Sequence, residues 1–189
     1  GLDLENVNYI KPEKNVVQYN DDYKYEKLFS VEAHKSSEYD IKFISKSLKL
    51  IDGRHIVATD KNKVLIHKDL AEANNLKVGD IIKATKSAGD FNASTLSKSD
   101  YDLEIVGIFE SENTERAGHK LEMPENLLIT DVDTIKTLYG YSDGNVKYTN
   151  ATFNTDTDVD KVTSKFKDIS TDWNKYTIVK SEDTFLRSE

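Results

Sequence analysis

The stretch Lys63–Ile82, KVLIHKDLAEANNLKVGDII, decides the fold class. Lys63–His67 (KVLIH) is a short apolar run of strand length, and Asp69–Asn75 (DLAEANN) reads as a short helix turning Leu70 and Ala71 inward. Leu76-Lys77-Val78-Gly79-Asp80 then ends the helix and leads into a second strand, Ile81–Thr85. Gly79 suits a turn position of positive φ, and the Asp80 carboxylate is placed to accept a neighbouring backbone N–H. Strand, short helix and strand follow one another with no long helix and no extended all-β run. That pattern is α+β, a mixed α/β arrangement.

Working outward, Asp102–Phe109 (DLEIVGIF) alternates as a strand covered on both sides. Strict alternation puts Leu103, Ile105, Gly107 and Phe109 on one face and Val106 and Ile108 on the other. Before the central stretch, Ser45–Ile51 leads to a turn at Asp52-Gly53-Arg54, and Tyr39–Ile44 fits a strand or a short helix. Further strands are expected at Asn15–Tyr19 and Leu28–Ala33. The segments 86–100 and 110–123 are polar and read as exposed loops. Thr130 and Asp133 have capping-box spacing for a helix whose apolar stripe is Ile135, Leu138 and Tyr139, with Gly140 as its stop. Asp158 caps a helix with Val159, Val162, Phe166 and Ile169 at helical period, between strands at Asn150–Asn154 and Tyr176–Lys180. The expected organisation is a split α/β unit, 1–45 and 120–189, with a smaller, mainly-β α/β unit, 46–119, inserted in it. The ends, GLDLEN without Met or leader pattern and TFLRSE, lead us to expect an excised part of a larger protein.

Composition narrows the function classes. The 189 residues carry 34 Asp+Glu against 26 Lys+Arg, a net charge of −8, which is no footprint for nucleic acid or an anionic membrane surface. The absence of Cys removes disulfides, thiolate nucleophiles and Cys-ligated metals. No apolar run approaches the length of a membrane-spanning helix.

Signatures of chemistry are few. His34, His55, His67 and His119 stand apart, with no pair at i,i+4, no HExxH and no metal-ligand spacing to acidic residues. Asp156, Asp158 and Asp160 resemble the start of an EF-hand loop, but Lys161 and Lys167 stand where Gly and a bidentate Glu are needed. They read instead as an acidic first helical turn. No glycine-rich phosphate cradle and no G-x-S-x-G elbow is present. The expectation is therefore no catalytic residue, no cofactor and no metal. Ten tyrosines are numerous for this length, and Tyr23, Tyr25, Tyr139 and Tyr141, with Phe91, are the candidate partner-binding residues.

Three segments carry a resemblance: Leu50–Ile56 (LIDGRHI), Lys63–Ile82, and Tyr101–Phe109 (YDLEIVGIF). Together they resemble the extracytoplasmic core domain of MacB/FtsX-type ABC transporter permeases, especially those of Gram-positive bacteria. Gly53 and Arg54 match that family's first turn. Leu70, Ala71, Leu76, Val78, Gly79 and Asp80 match its strand-helix-strand, and Val106, Gly107 and Ile108 match its third strand. The likeness is specific over about 50–110 and looser over 120–185. It implies a split porter-like α/β part with a smaller inserted part, held outside the cytoplasmic membrane by the transmembrane helices of a multi-pass permease. It also implies a cytoplasmic ATPase subunit as partner, a second permease copy and an extracellular peptide or protein as further ones, and no catalytic residue. Gly53, Arg54, Gly79, Asp80 and Gly107 are then structural turn residues, with Arg54 fixing a loop through a carboxylate or carbonyl. Residues 1 and 189 are expected near each other. The functions implied are export of, or resistance to, peptides and antimicrobials, or an FtsX-like ectodomain docking a cell-wall hydrolase. A free-standing secreted binding module or enzyme is the third class.

Overall fold

The strand at Lys63–His67 forms as expected and lies deep in a mixed sheet. A computed structural model describes residues 2–10, 29–86, 101–112, 124–145, 151, 155–169, 171–175 and 177–178. Its strands are β1 (Leu2–Leu4), β2 (Ser30–His34), β3 (Leu48–Gly53), β4 (Lys63–His67), β5 (Ile81–Lys86), β6 (Tyr101–Ser111) and β7 (Leu127–Asp131). The helices are α1 (Ile41–Ile44), α2 (Lys68–Ala73), α3 (Val132–Tyr139) and α4 (Val159–Lys167). The fold is α+β. Sheet order is β1-β5-β6-β4-β7-β2, with β3 on the second half of β6. β4 runs parallel to β6 and β2 parallel to β7; the other pairings are antiparallel.

The sheet curls until its ends meet. Leu2 and Phe29, the residue before β2, exchange two backbone hydrogen bonds of 3.1 and 2.9 Å, joining β1 to the start of β2. The interior of this ring is apolar: Leu2, Leu4, Val64, Ile66, Ile82, Ala84, Leu103, Ile105 and Leu128 meet there, with Leu70 and Ala71 of α2 and Leu138 of α3. Each Leu, Ile or Val side chain among them stabilises the fold by roughly 1.5–3 kcal/mol when fully withdrawn from water. A second, smaller cluster lies on the other face of the sheet, where Leu65, Val106, Phe109, Leu127 and Ile129 pack with Leu48, Ile56 and the half-buried Phe43. Strands from both expected units, 1–45 with 120–189 and 46–119, share this sheet and its interior.

Local signals explain the helix ends. Asn75 takes the left-handed conformation (φ 52) that closes α2, and Leu76 N–H returns to the Ala71 carbonyl at 2.9 Å. Gly140 (φ 66) ends α3 as its position suggested. The cap of α3 is Asp131, one residue beyond the expected Thr130. Asp131 Oδ1 accepts from Thr134 N–H at 2.7 Å, whereas the Thr130 hydroxyl donates to the Lys63 carbonyl. Asp158 caps α4 as expected, accepting from the N–H groups of Asp160 and Lys161. Asp156, Asp158 and Asp160 thus belong to a helix start.

Two expectations fail for the same reason. β6 carries a bulge: Val64 faces Ile105, but Leu65 faces Gly107, so Val106 is the extra residue. Alternation breaks there, and Ile108 joins Leu103 and Ile105 inside the ring while Val106 and Phe109 face the second cluster. Gly53 and Gly107 are also not turn residues. They pair across β3 and β6, next to a skip at Ile51 on β3. Tyr39–Ile44 resolves as a 3-10 turn over Ser37–Tyr39 followed by α1. The expected strand at Asn15–Tyr19 and most of the loops 86–100 and 110–123 lie outside the described residues. So do the strands at 150–154 and 176–180 except Ala151, Thr177 and Ile178, none of which is in a strand.

Candidate functional site

The three sequence segments that carry the resemblance meet at the bulge. The turn ending at Asp80 docks on β6, with Gly79 N–H donating to the Ile105 carbonyl (2.8 Å) and Ile105 N–H to the Asp80 carbonyl (2.9 Å). Asp80 also ties its own turn, its carboxylate accepting from Lys77 N–H at 2.9 Å. One residue on, Arg54 N–H donates to the Val106 carbonyl at 2.9 Å, and Gly53 opposes Gly107. Gly107 is boxed in: a Cβ there would lie 2.5 Å from the Arg54 carbonyl oxygen and 2.8 Å from Leu65 Cδ2.

Arg54 leaves this junction to grip the next loop. Its guanidinium donates to both Asp60 oxygens, at 2.7 and 2.9 Å, and to the His55 carbonyl at 3.0 Å. Asp60, nearly buried, accepts Val57 N–H as well. Burial alone would raise the Asp60 pKa, but the Arg54 hydrogen bonds, the Val57 N–H and the guanidinium charge outweigh it and hold it below the usual carboxylate value. A carboxylate depressed in the folded state contributes stability above its unfolded pKa of about 3.9, lost as pH falls through the folded value. Arg54→Met is therefore expected to cost about 1 kcal/mol at pH 7, less than the ~1.5–3 kcal/mol of charged hydrogen bonds because Arg54 is half exposed. The difference should shrink as pH falls below the unfolded pKa and through the depressed folded one. Urea unfolding of both chains across that pH range checks this, and a constant difference would rule it out.

His55 and His67 are both structural here. His55 Nδ1 lies 3.0 Å from the Ser37 hydroxyl, which itself accepts Ile56 N–H, and the ring stands edge-on to Phe43. Burial lowers the His55 pKa, with the Glu38 charge partly opposing. His67 caps α2: its Nδ1 accepts Asp69 N–H at 3.1 Å and its Nε2 lies 3.1 Å from the Ser111 hydroxyl.

Sequence spacing gave no His–carboxylate cluster, yet the fold assembles two: Glu32, His34 and Asp40, and His67, Asp69 and Glu125. In the first, His34 Nε2 lies 3.4 Å from Glu32 Oε2 and 3.5 Å from Asp40 Oδ2. Glu32 and His34 are two apart on β2, so they share a face; that i,i+2 spacing was readable in the sequence. Asp40 returns to them because the 3-10 turn and α1 follow β2 directly, and its Oδ1 caps α1 by accepting Lys42 N–H at 2.9 Å. Lys42 Nζ also contacts Glu32 Oε2. The His34 hydrogen bond, helped by Lys42 and opposed by burial, pushes the Glu32 pKa down to about 2.

Of the candidate partner-binding residues, Tyr139 packs partly against the interior and stacks on the exposed Tyr141, with ring centroids 5.8 Å apart. Tyr23, Tyr25 and Phe91 lie outside the described residues, as does His119. No described helix is long and apolar enough to cross a membrane. Compared with known proteins, the chain matches no protein-family model and no curated protein.

Proposed function

We propose that the chain is a non-catalytic extracellular domain of an ABC transporter permease, coupling cytoplasmic ATP hydrolysis to export of, or resistance to, peptides or antimicrobials. The observation that carries this reading is the junction at Val106. Gly53-Arg54, Gly79-Asp80 and Val106-Gly107-Ile108, which match the permease pattern and are far apart in sequence, make one set of backbone contacts. A pattern whose separate parts lock together is a pattern that specifies a fold, and these residues do architectural work. On this reading the parent protein sits in the cytoplasmic membrane with this domain on its outer face. Its partners are a cytoplasmic ATPase subunit, the permease's own membrane helices, a second permease copy and an extracellular peptide or protein.

The test uses the full-length gene product. Purified from membranes in detergent, it should bring down an ATPase subunit, and a strain lacking it should become sensitive to antimicrobial peptides. Recovery of the product in the soluble fraction with no ATPase attached would overturn the reading. A second reading is an FtsX-like ectodomain that docks a cell-wall hydrolase, for which the exposed Tyr141 would be a contact residue. Capture of such a hydrolase, with antimicrobial sensitivity unchanged in the deletion strain, would select it.

A further inference from the structure

We infer that Glu32, His34 and Asp40 form a binding site for a divalent transition metal, with zinc the ion best matched to its geometry. The donors are one imidazole nitrogen and two carboxylate oxygens, all within 4.8 Å of one another. This is a mixed nitrogen and oxygen set of the kind zinc accepts in three-ligand sites that keep a fourth position open. Four-coordinate zinc with ligand bonds of about 2.0–2.2 Å separates its ligand atoms by about 3.3–3.5 Å, the edge of a tetrahedron. His34 Nε2 stands at 3.4 and 3.5 Å from the two carboxylate oxygens. Those separations also match two edges of such a tetrahedron.

Burial is the second, independent observation. The Asp40 side chain is only 4% exposed and that of His34 15%. Asp40 Oδ1 is used by Lys42 N–H, which fixes the carboxylate from behind as an orienting partner does in a metal site. Oδ2 points into the cluster, where its contact among the described residues is the His34 nitrogen at 3.5 Å. A carboxylate oxygen withdrawn from water in this way requires a cation or a short donor. The third ligand, Glu32, is more open and shares its Oε2 with the Lys42 ammonium. Lys42 therefore occupies part of the place that the ion would take, and its long, partly exposed side chain would swing out towards solvent when the ion binds. The second His–carboxylate cluster lacks these features. Both ring nitrogens of His67 are already engaged, and Asp69 is exposed.

The site is independent of the permease reading, and the test is binding by the full 189-residue chain. Titration with Zn2+ in a calorimeter, and with Co2+ followed by its visible absorption, should show one saturable ion and a raised unfolding temperature. Mg2+ and Ca2+ should give neither. Glu32→Gln and His34→Gln, which keep size and polarity, should each weaken binding at least ~10-fold, the loss that even outer-shell partners of a metal bring. Lys42→Met should tighten it several-fold by removing the competing charge, and His67→Gln should leave it unchanged. No saturable binding, binding that survives His34→Gln, or binding abolished by His67→Gln would each overturn the assignment. Circular dichroism of each variant at the assay temperature separates lost ligands from lost fold.

Discussion

Gly53→Ala is expected to destabilise the chain by about 3 kcal/mol or more, a large share of the ~5–15 kcal/mol by which domains are stable. Two separate costs add. The backbone at Gly53 has φ +72, which charges any residue with a Cβ about 1–2 kcal/mol. That Cβ would also lie 2.2 Å from the Val106 carbonyl oxygen and 2.8 Å from Gly107 Cα. Both are backbone atoms of the bulged strand, so no side chain can turn aside, and overpacking of this kind costs about 1–3 kcal/mol more. Two other glycines separate the terms. Gly79 has φ +93 with open space around it, so Gly79→Ala should show the strain alone, about 1–2 kcal/mol. Gly144→Ala, with positive φ absent and nothing within 4 Å, should stay within about 0.5 kcal/mol. Urea unfolding midpoints for the three variants check the order. A Gly53→Ala loss no greater than that of Gly79→Ala would mean that β3 and β6 do not approach as described.

Asp131→Ala carries the second large effect, again about 3 kcal/mol. The Asp131 carboxylate caps α3 and also reaches β4: Oδ2 accepts from Lys63 N–H at 2.9 Å and from the Thr134 hydroxyl at 2.7 Å. Thr134 Oγ1 in turn accepts Asn62 N–H at 2.7 Å. Truncation removes a cap worth about 1 kcal/mol and leaves withdrawn N–H donors without acceptors, at about 1–3 kcal/mol. Asp158→Ala is the comparison, because α4 has no buried residue and its capped N–H groups can turn to water. It should cost about 1 kcal/mol or less. Equal losses in the two variants would show that Asp131 is a cap and no more. Asp131→Asn keeps one acceptor oxygen and should recover part of the loss.

The strand, helix and strand from Lys63 to Lys86 were legible because their signals are local. The apolar run, the two inward residues of α2 and the Gly79-Asp80 turn each act within a few positions. The bulge at Val106 was not legible, because it is set by two different neighbours, β4 and β3, pairing with the same strand. Strict alternation describes β6 only as far as Ile105. The cap of α3 shifted by one residue for a similar reason. Asp131 is held by Lys63, far away in sequence, as well as by its own helix. At the candidate metal site, two of the three residues were readable: Glu32 and His34 have strand spacing and so share a face. Asp40 could not be placed without knowing that the chain doubles back through the 3-10 turn.

Closure of the sheet by Leu2 and Phe29 has a consequence for solubility. A strand of three residues, β1, pairs along β5 and bridges to Phe29 just before β2. Detaching it would uncover the backbone row of β5, along with the apolar side chains of the ring. Unpaired rows of this kind recruit strands from other molecules. The shortest of the described strands is therefore a guard against self-association, and trimming the chain at Leu2–Leu4 would leave the outer side of β5 open.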